Sequence, residues 1–187
     1  ATCVIVATGG KSYPATGSTG DGYLWAEKAG HTVITPRPAL VPLNTKEAWV
    51  KEVQGLALKN VEASLYGDGE FLSREFGEML FTHFGVSGPI ILTLSRYVTN
   101  FKGQNLTLSI NLKPALSAEK LDQRLQRDFL KYQRKQLKNA LDDLLPKSLI
   151  PVILEQSKLL PEKYVHQITK AERRVLQETL QNLRLTV

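Results

Sequence analysis

The stretch Leu56-Ala57-Leu58-Lys59-Asn60-Val61-Glu62-Ala63-Ser64-Leu65-Tyr66 alternates with period two, and Gly67-Asp68-Gly69 follows it directly before Glu70-Phe71-Leu72. Alternation of this kind marks a strand with one buried face, and a glycine-flanked aspartate supplies the positive-φ residues that a tight reversal needs. The segment therefore reads as a β-hairpin. Downstream, Leu106, Leu108, Ile110 and Leu112 share one face of a further strand over 105–112. Between them, Ser87-Gly88-Pro89 opens a helix that runs on from Ile90 to Val98, with proline where its missing donor costs nothing. From about Gly55 to Asn111 the chain is thus expected to be built mainly from short antiparallel strands.

After Pro114 the pattern becomes helical. Ser117 is a good N-cap with Glu119 in the first turn, and Leu121, Leu125, Phe129 and Tyr132 fall on one stripe. The stripe is expected to continue through Leu137, Leu141 and Leu144 until Pro146. Pro151 and Pro161 divide the next segment into short helices, and a last helix is expected over Lys170–Leu183 with Val175, Leu176, Leu180 and Leu183 inward. The closing residues Leu183-Arg184-Leu185-Thr186-Val187 read as the start of another strand.

Upstream of the hairpin, Thr2-Cys3-Val4-Ile5-Val6-Ala7 is an apolar, β-branched run ended by Gly9-Gly10. Such a run fits a strand buried on both faces of a parallel sheet, so its neighbours are expected in sequence outside this chain. A glycine-rich loop leads to a helix that Asp21 would cap and Gly30 would end. Thr32–Thr35 would be a strand, and Pro36, Pro38 and Pro42 make Arg37–Leu43 an extended crossover or edge segment.

Composition narrows the class. The 187 residues are 42% hydrophobic and 22% charged, enough for one medium core or two small ones. The single cysteine, Cys3, excludes an internal disulfide, and the expected compartment is cytoplasmic. No stretch approaches the roughly 20 apolar residues of a membrane span. Residues 1–112 carry nine Lys/Arg against nine Asp/Glu, and residues 113–187 carry fifteen against nine, so the excess of +6 lies in the helical part. Two readings compete there: a basic helical module binding nucleic acid or an acidic protein partner, or a solvated helix face. The second is favoured, because neither aromatic interleaving nor a reader motif accompanies the charge.

Several motifs fail on spacing. Gly9-Gly10-Lys11-Ser12 looks like the tail of a phosphate loop, but its first required glycine is Ile5. Gly17-Ser18-Thr19-Gly20-Asp21-Gly22 reverses the order of a dinucleotide fingerprint, although a glycine-rich turn into a helix still suits an anionic or carbonyl group. Gly85-Val86-Ser87-Gly88 lacks the last glycine of a nucleophile elbow, which is Pro89. His31, His83 and His166 lack metal-ligand spacing, and no metal site is expected. His83 alone sits in a loop between a strand and a helix start, where functional side chains concentrate.

Taken together, Val6-Ala7-Thr8-Gly9-Gly10-Lys11-Ser12-Tyr13-Pro14, Thr16-Gly17-Ser18-Thr19-Gly20-Asp21-Gly22-Tyr23, Pro38-Ala39-Leu40-Val41-Pro42-Leu43 and Gly77 through Pro89 resemble the YhiN/BaiN-like flavoproteins. These are labelled NAD(P)/FAD-dependent oxidoreductases or aminoacetone oxidase-like proteins. The resemblance implies an α+β chain: a short strand-loop-helix remnant of an FAD-binding domain (1–43), an inserted β-barrel-like subdomain (44–112) and a helical subdomain (113–187). It implies that Ala7, Thr8, Gly9 and Gly10 face FAD and that Tyr13, Ser18 and Thr19 lie on the flavin or substrate side; Tyr13 and, from its loop position, His83 are the catalytic candidates. It further implies a parent enzyme with FAD and NAD(P)H as reductant, acting on a small-molecule substrate and completed by the rest of the FAD domain. The family's GxGxxG, its acidic ribose-binding residue and its C-terminal glycine-rich segment have no counterpart in residues 1–187. The fragment alone is accordingly expected to hold no FAD and to catalyse nothing.

Overall fold

The hairpin organises the structure, a computed structural model that describes residues 2–187. Strand β2 (Ala57–Gly67) and strand β3 (Glu70–Phe81) pair antiparallel from Gly67↔Glu70 to Ala57↔Leu80. Asp68 (φ 48°) and Gly69 (φ 89°) are both left-handed, the requirement of a two-residue turn whose twist matches its strands. The apolar positions of β2, Leu58, Val61, Ala63 and Leu65, are buried. A register shift between Leu58 and Val61, with Asn60 at φ 54°, bends the strand.

Around the hairpin lie β1 (Leu43–Asn44), β4 (Gly85–Ser87), β5 (Leu106–Asn111) and β6 (Leu183–Thr186), in the order β1-β4-β3-β2-β5-β6. The sheet curls until its two edges meet: Lys46 N–H donates to the Thr186 carbonyl at 3.0 Å, and Thr186 N–H donates to Glu47 Oε1 at 2.8 Å. A barrel-like wall results, as expected. Helix α2 (Pro89–Val98) buries Ile90, Ile91 and Leu94 against it. Gly77 permits that approach, since a Cβ there would come within 2.9 Å of Ile90 Cγ2.

Helix α3 (Ala118–Lys131) is capped by Ser117, whose hydroxyl accepts from Lys120 N–H, and it buries Leu121, Leu125 and Phe129. Helix α4 (Ile150–Gln156) has Pro151 in its first turn. Helix α5 (Lys170–Gln181) starts in a capping box between Thr169 and Glu172. Leu112 N–H donates to the Leu180 carbonyl at 2.9 Å, joining α5 to the end of β5, and one apolar cluster runs through strands and helices alike.

The capping box makes a pH prediction. Lys163, followed by the Thr169 backbone N–H, holds the Glu172 carboxyl down to about 2 from 4.5. A depressed folded pKa contributes stability fully present above about 4.5 and lost as pH falls toward about 2. Glu172→Gln is therefore expected to cost about 1 kcal/mol at neutral pH, and its urea-unfolding curve should converge on the wild type as pH drops toward 2.5.

Several sequence expectations need correction. Residues 132–146 keep the apolar stripe, with Leu137, Leu141 and Leu144 buried, but form turns with a 3-10 segment at Leu137–Asn139. Their backbone pairs instead with a distant segment: Leu137 N–H donates to Lys163 O, Lys138 N–H to Pro161 O, and Val165 N–H to Lys135 O. Val175 is 43% exposed because it flanks the stripe set by Leu176 and Leu180. In the N-terminal part, neither 2–7 nor 32–35 forms a strand; Val4 and Ile5 are 81% and 91% exposed, since no neighbouring strand supplies a ladder.

The chain divides into two units, Ala1–Ala39 and Leu40–Val187. The first holds a 3-10 turn at Pro14–Thr16 and helix α1 (Asp21–Lys28). Gly20 (φ 88°), not Asp21, is its N-cap residue, and Asp21 accepts a hydrogen bond from the Thr19 hydroxyl at 2.9 Å. Gly30 ends the helix as expected, in the left-handed region, with Gly30 N–H donating to Glu27 O and His31 N–H to Ala26 O.

Candidate functional site

In the first unit, the Ala7–Gly10 turn is built for close approach. Gly9 has φ +72°, and nothing lies within 4 Å of where its Cβ would be. The side chain of Thr8 rests against the start of α1: a Cβ on Gly22 would come within 2.3 Å of Thr8 Oγ1. A glycine turn with open space before it and a threonine anchored behind it fits the edge of a cofactor site.

The adjoining loop is held by its own polar groups. Tyr13 N–H donates to Ser18 Oγ at 3.0 Å, while the Tyr13 carbonyl accepts from the Ser18 hydroxyl at 2.8 Å and from Thr16. Ser18 is thus engaged in loop geometry, and Thr19 in its bond to Asp21. The Tyr13 ring is 71% exposed and its phenol makes no bond to any described residue. A cavity of ≈ 220 Å³ lies beside α1, with Lys11, Gly20, Tyr23 and Glu27 in its wall.

His83 belongs to the second unit, in the turn between β3 and β4. It is exposed and meets the Phe84 ring edge-on at 4.8 Å. The turn is fixed by Thr82, whose N–H donates to the Gly85 carbonyl at 2.8 Å and whose hydroxyl accepts from Gly85 N–H at 3.1 Å. The structure thus groups Ala7, Thr8, Gly9, Gly10, Tyr13, Ser18 and Thr19 in one unit and His83 in the other.

On the helices, perturbed ionisation belongs to structural pairs. Arg173 holds Asp122 below the usual carboxylate range, and the Tyr132 hydroxyl and Lys131 do the same to Asp143. Burial, then Arg124, lowers Lys113. Arg124, Arg127, Lys131, Lys138, Lys163 and Arg173, six of the fifteen Lys/Arg of residues 113–187, each sit within 4.0 Å of a carboxylate. Among the described residues no group of three or more His, Cys, Asp or Glu could hold a metal, and no helix is long and apolar enough to cross a membrane.

A feature missed in the sequence lies on the outer face of the barrel wall. Directly paired residues point to one side, so the registers of β3, β2, β5 and β6 align Phe71, Tyr66, Thr107 and Thr186 in one row. Arg74, Ser64, Ser109 and Arg184 form the next. A cleft of ≈ 280 Å³ opens there, lined by Tyr66, Gly69, Thr107, Ser109, Asn182 and Arg184. The period-two alternation marked these positions only as the polar side of strands.

Residues 37–187, most of the chain, match the family model described as HI0933-like protein barrel and H2TH domain. The chain belongs to the HI0933-like flavoprotein family. Relatives of this HI0933-like chain include the ribosomal RNA dihydrouridine synthase of Escherichia coli K12, 33% identical over 187 aligned residues, 97% of this chain and 43% of the relative. The ribosomal RNA dihydrouridine synthase of Haemophilus influenzae is 33% identical over 170 residues, 89% of this chain and 39% of the relative. The 3-dehydro-bile acid delta(4,6)-reductase of Clostridium scindens is 31% identical over 156 residues, 82% and 38%. The chain thus spans about two fifths of the length of these curated relatives.

Proposed function

We propose that the chain is part of an FAD-dependent reductase that saturates a conjugated carbon–carbon double bond in RNA. The observation that carries this reading is the 33% identity to a ribosomal RNA dihydrouridine synthase over 97% of the chain, through both units. The bile-acid relative points to the same chemistry on another substrate, since a delta(4,6)-reductase and a dihydrouridine synthase both saturate a C=C bond. RNA is favoured over the small molecule expected from the sequence by the net charge of +6 and by the coverage of the match.

In this reading residues 1–43 contribute an edge of the FAD site, 44–112 the barrel wall and 113–187 the helical part on the substrate side. Ala7, Thr8, Gly9 and Gly10 lie along the cofactor, which Gly9 lets approach the backbone. Once reduced by NAD(P)H, the bound flavin would supply the hydride. The Tyr13 phenol is the candidate to deliver the proton that saturation also requires, and His83 is the alternative to it. Ser18 and Thr19 act through the loop that carries Tyr13.

The test is Gly9→Val in the longer flavoprotein. Valine at φ +72° is strained and fills the space before the turn. The Kd for FAD, titrated by visible absorbance, is expected to rise about tenfold, the loss of roughly 1.4 kcal/mol of binding. Full retention of FAD would exclude this turn from the cofactor site.

A further inference from the structure

The outer face of the barrel wall is unlike an ordinary solvated sheet face. Arg184 is exposed with no carboxylate of the described residues within reach, and no acidic side chain lines the cleft beside it. The hydroxyls of Tyr66, Thr107 and Ser109 and the Asn182 amide, all in that cleft, make no hydrogen bond to any described residue. A guanidinium, three hydroxyls and a carboxamide, every one of them unengaged, converge on one hollow. That set donates to an oxyanion from several directions.

Beside the hollow lies an aromatic track. The rings of Tyr66 and Phe71 meet edge-to-face at 5.9 Å, and the Arg74 guanidinium stands 5.6 Å from the Phe71 centroid. Phe71 is 54% exposed, and Phe76, farther along β3 on the same side, is 62% exposed. Glu62 on this face is taken up by Arg74 at 3.6 Å, and Glu78, two residues beyond Phe76, by Lys59 at 3.9 Å.

The spacing points to a chain rather than one small anion. Arg74 on β3 and Arg184 on β6 are separated by three interstrand steps, about 14 Å, with Ser64 and Ser109 between them. One phosphate does not reach both, whereas successive phosphates of an extended strand do. The cleft also lacks the apolar enclosure of a small-molecule pocket.

We infer that this outer face is a track for single-stranded RNA, with bases on Tyr66 and Phe71 and phosphates on Arg184 and Arg74. Rings on a sheet beside cations are how single strands are held without base reading; here Arg184 is the unpaired cation, and Arg74 would exchange Glu62 for a phosphate. The inference rests on the reductase reading for the identity of RNA as substrate. It locates RNA contact on the sheet and not on the basic helices.

The experiment is fluorescence anisotropy with a labelled oligouridylate of about 12 nucleotides, measured without turnover so that its failure leaves the reductase reading standing. Tyr66→Ala and Arg184→Ala are each expected to weaken binding about 5- to 100-fold. Arg184→Ala should also flatten the log–log salt slope by about 0.7. Tyr66→Phe keeps the ring and should recover most of the affinity that Tyr66→Ala loses, which separates lost stacking from lost folding. Lys138→Ala, on the helical part, should change nothing. Wild-type affinity in the Tyr66 and Arg184 variants, no RNA binding by the wild type, or loss only in Lys135→Ala would overturn the inference. So would displacement of the RNA by NADPH alone, which would make the cleft a dinucleotide site.

Discussion

Replacing Gly88 by alanine is expected to unfold the barrel at markedly lower temperature. Gly88 has φ +95°, a conformation that costs an L-residue about 1–2 kcal/mol. The added Cβ would also lie 2.8 Å from Met79 Cα, 3.1 Å from Leu80 N and 3.2 Å from Glu78 O, all backbone of β3. No side chain can rotate away to relieve this, so the strand or the start of α2 must move, at roughly 1–3 kcal/mol more. The sum, about 2–5 kcal/mol, is a large share of an ordinary domain's stability and should lower the melting temperature by about 5–20 °C. A melting temperature within about 2 °C of wild type would show that the β3–α2 junction is looser than these contacts imply.

Phe81→Ala should be nearly as damaging, for the opposite reason. Phe81 ends β3, is 0% exposed and packs edge-on against Trp49, with ring centroids 5.8 Å apart. Removing the ring leaves a cavity beneath the 3-10 segment Ala48–Val53, at a cost of about 3–5 kcal/mol in urea unfolding. Trp49 is buried while Trp25 is 51% exposed, so a red shift of native tryptophan emission would report the opened core. Unchanged emission and stability would mean that the site collapses around the deletion.

The two variants probe features of unequal visibility in the sequence. The hairpin was legible because alternation and Asp68-Gly69 are local signals, and so were α3 and α5, marked by Ser117 and by the apolar spacing of Leu176 and Leu180. Residues 132–146 were legible as buried but not as turns. Their helix is pre-empted by hydrogen bonds to Pro161 and Lys163, which no local pattern announces. The apolar run 2–7 shows the converse, a strand pattern that remains unpaired because strand formation needs neighbours.

The site follows the same division. Gly9 and the Tyr13–Thr19 loop stand out through glycine content and family resemblance, and the structure adds that Ser18 and Thr19 are occupied while Tyr13 is free. The Tyr66–Arg184 cleft was invisible because it exists only through the register of β2 with β5 and of β5 with β6. Tyr66 and Arg184 come from opposite ends of the barrel-and-helix unit, and each alone reads as an ordinary surface residue.

The proposed role, reductive saturation of a C=C bond, is open to direct measurement by mass spectrometry. Uridine-containing ribosomal RNA would be incubated anaerobically with the full-length flavoprotein, FAD and NADPH. The expected product is uridine that has gained two hydrogens, formed only when NADPH is present. NADPH consumption with unchanged RNA, and hydrogen peroxide as the product once oxygen is admitted, would contradict that role and assign the protein to the oxidases.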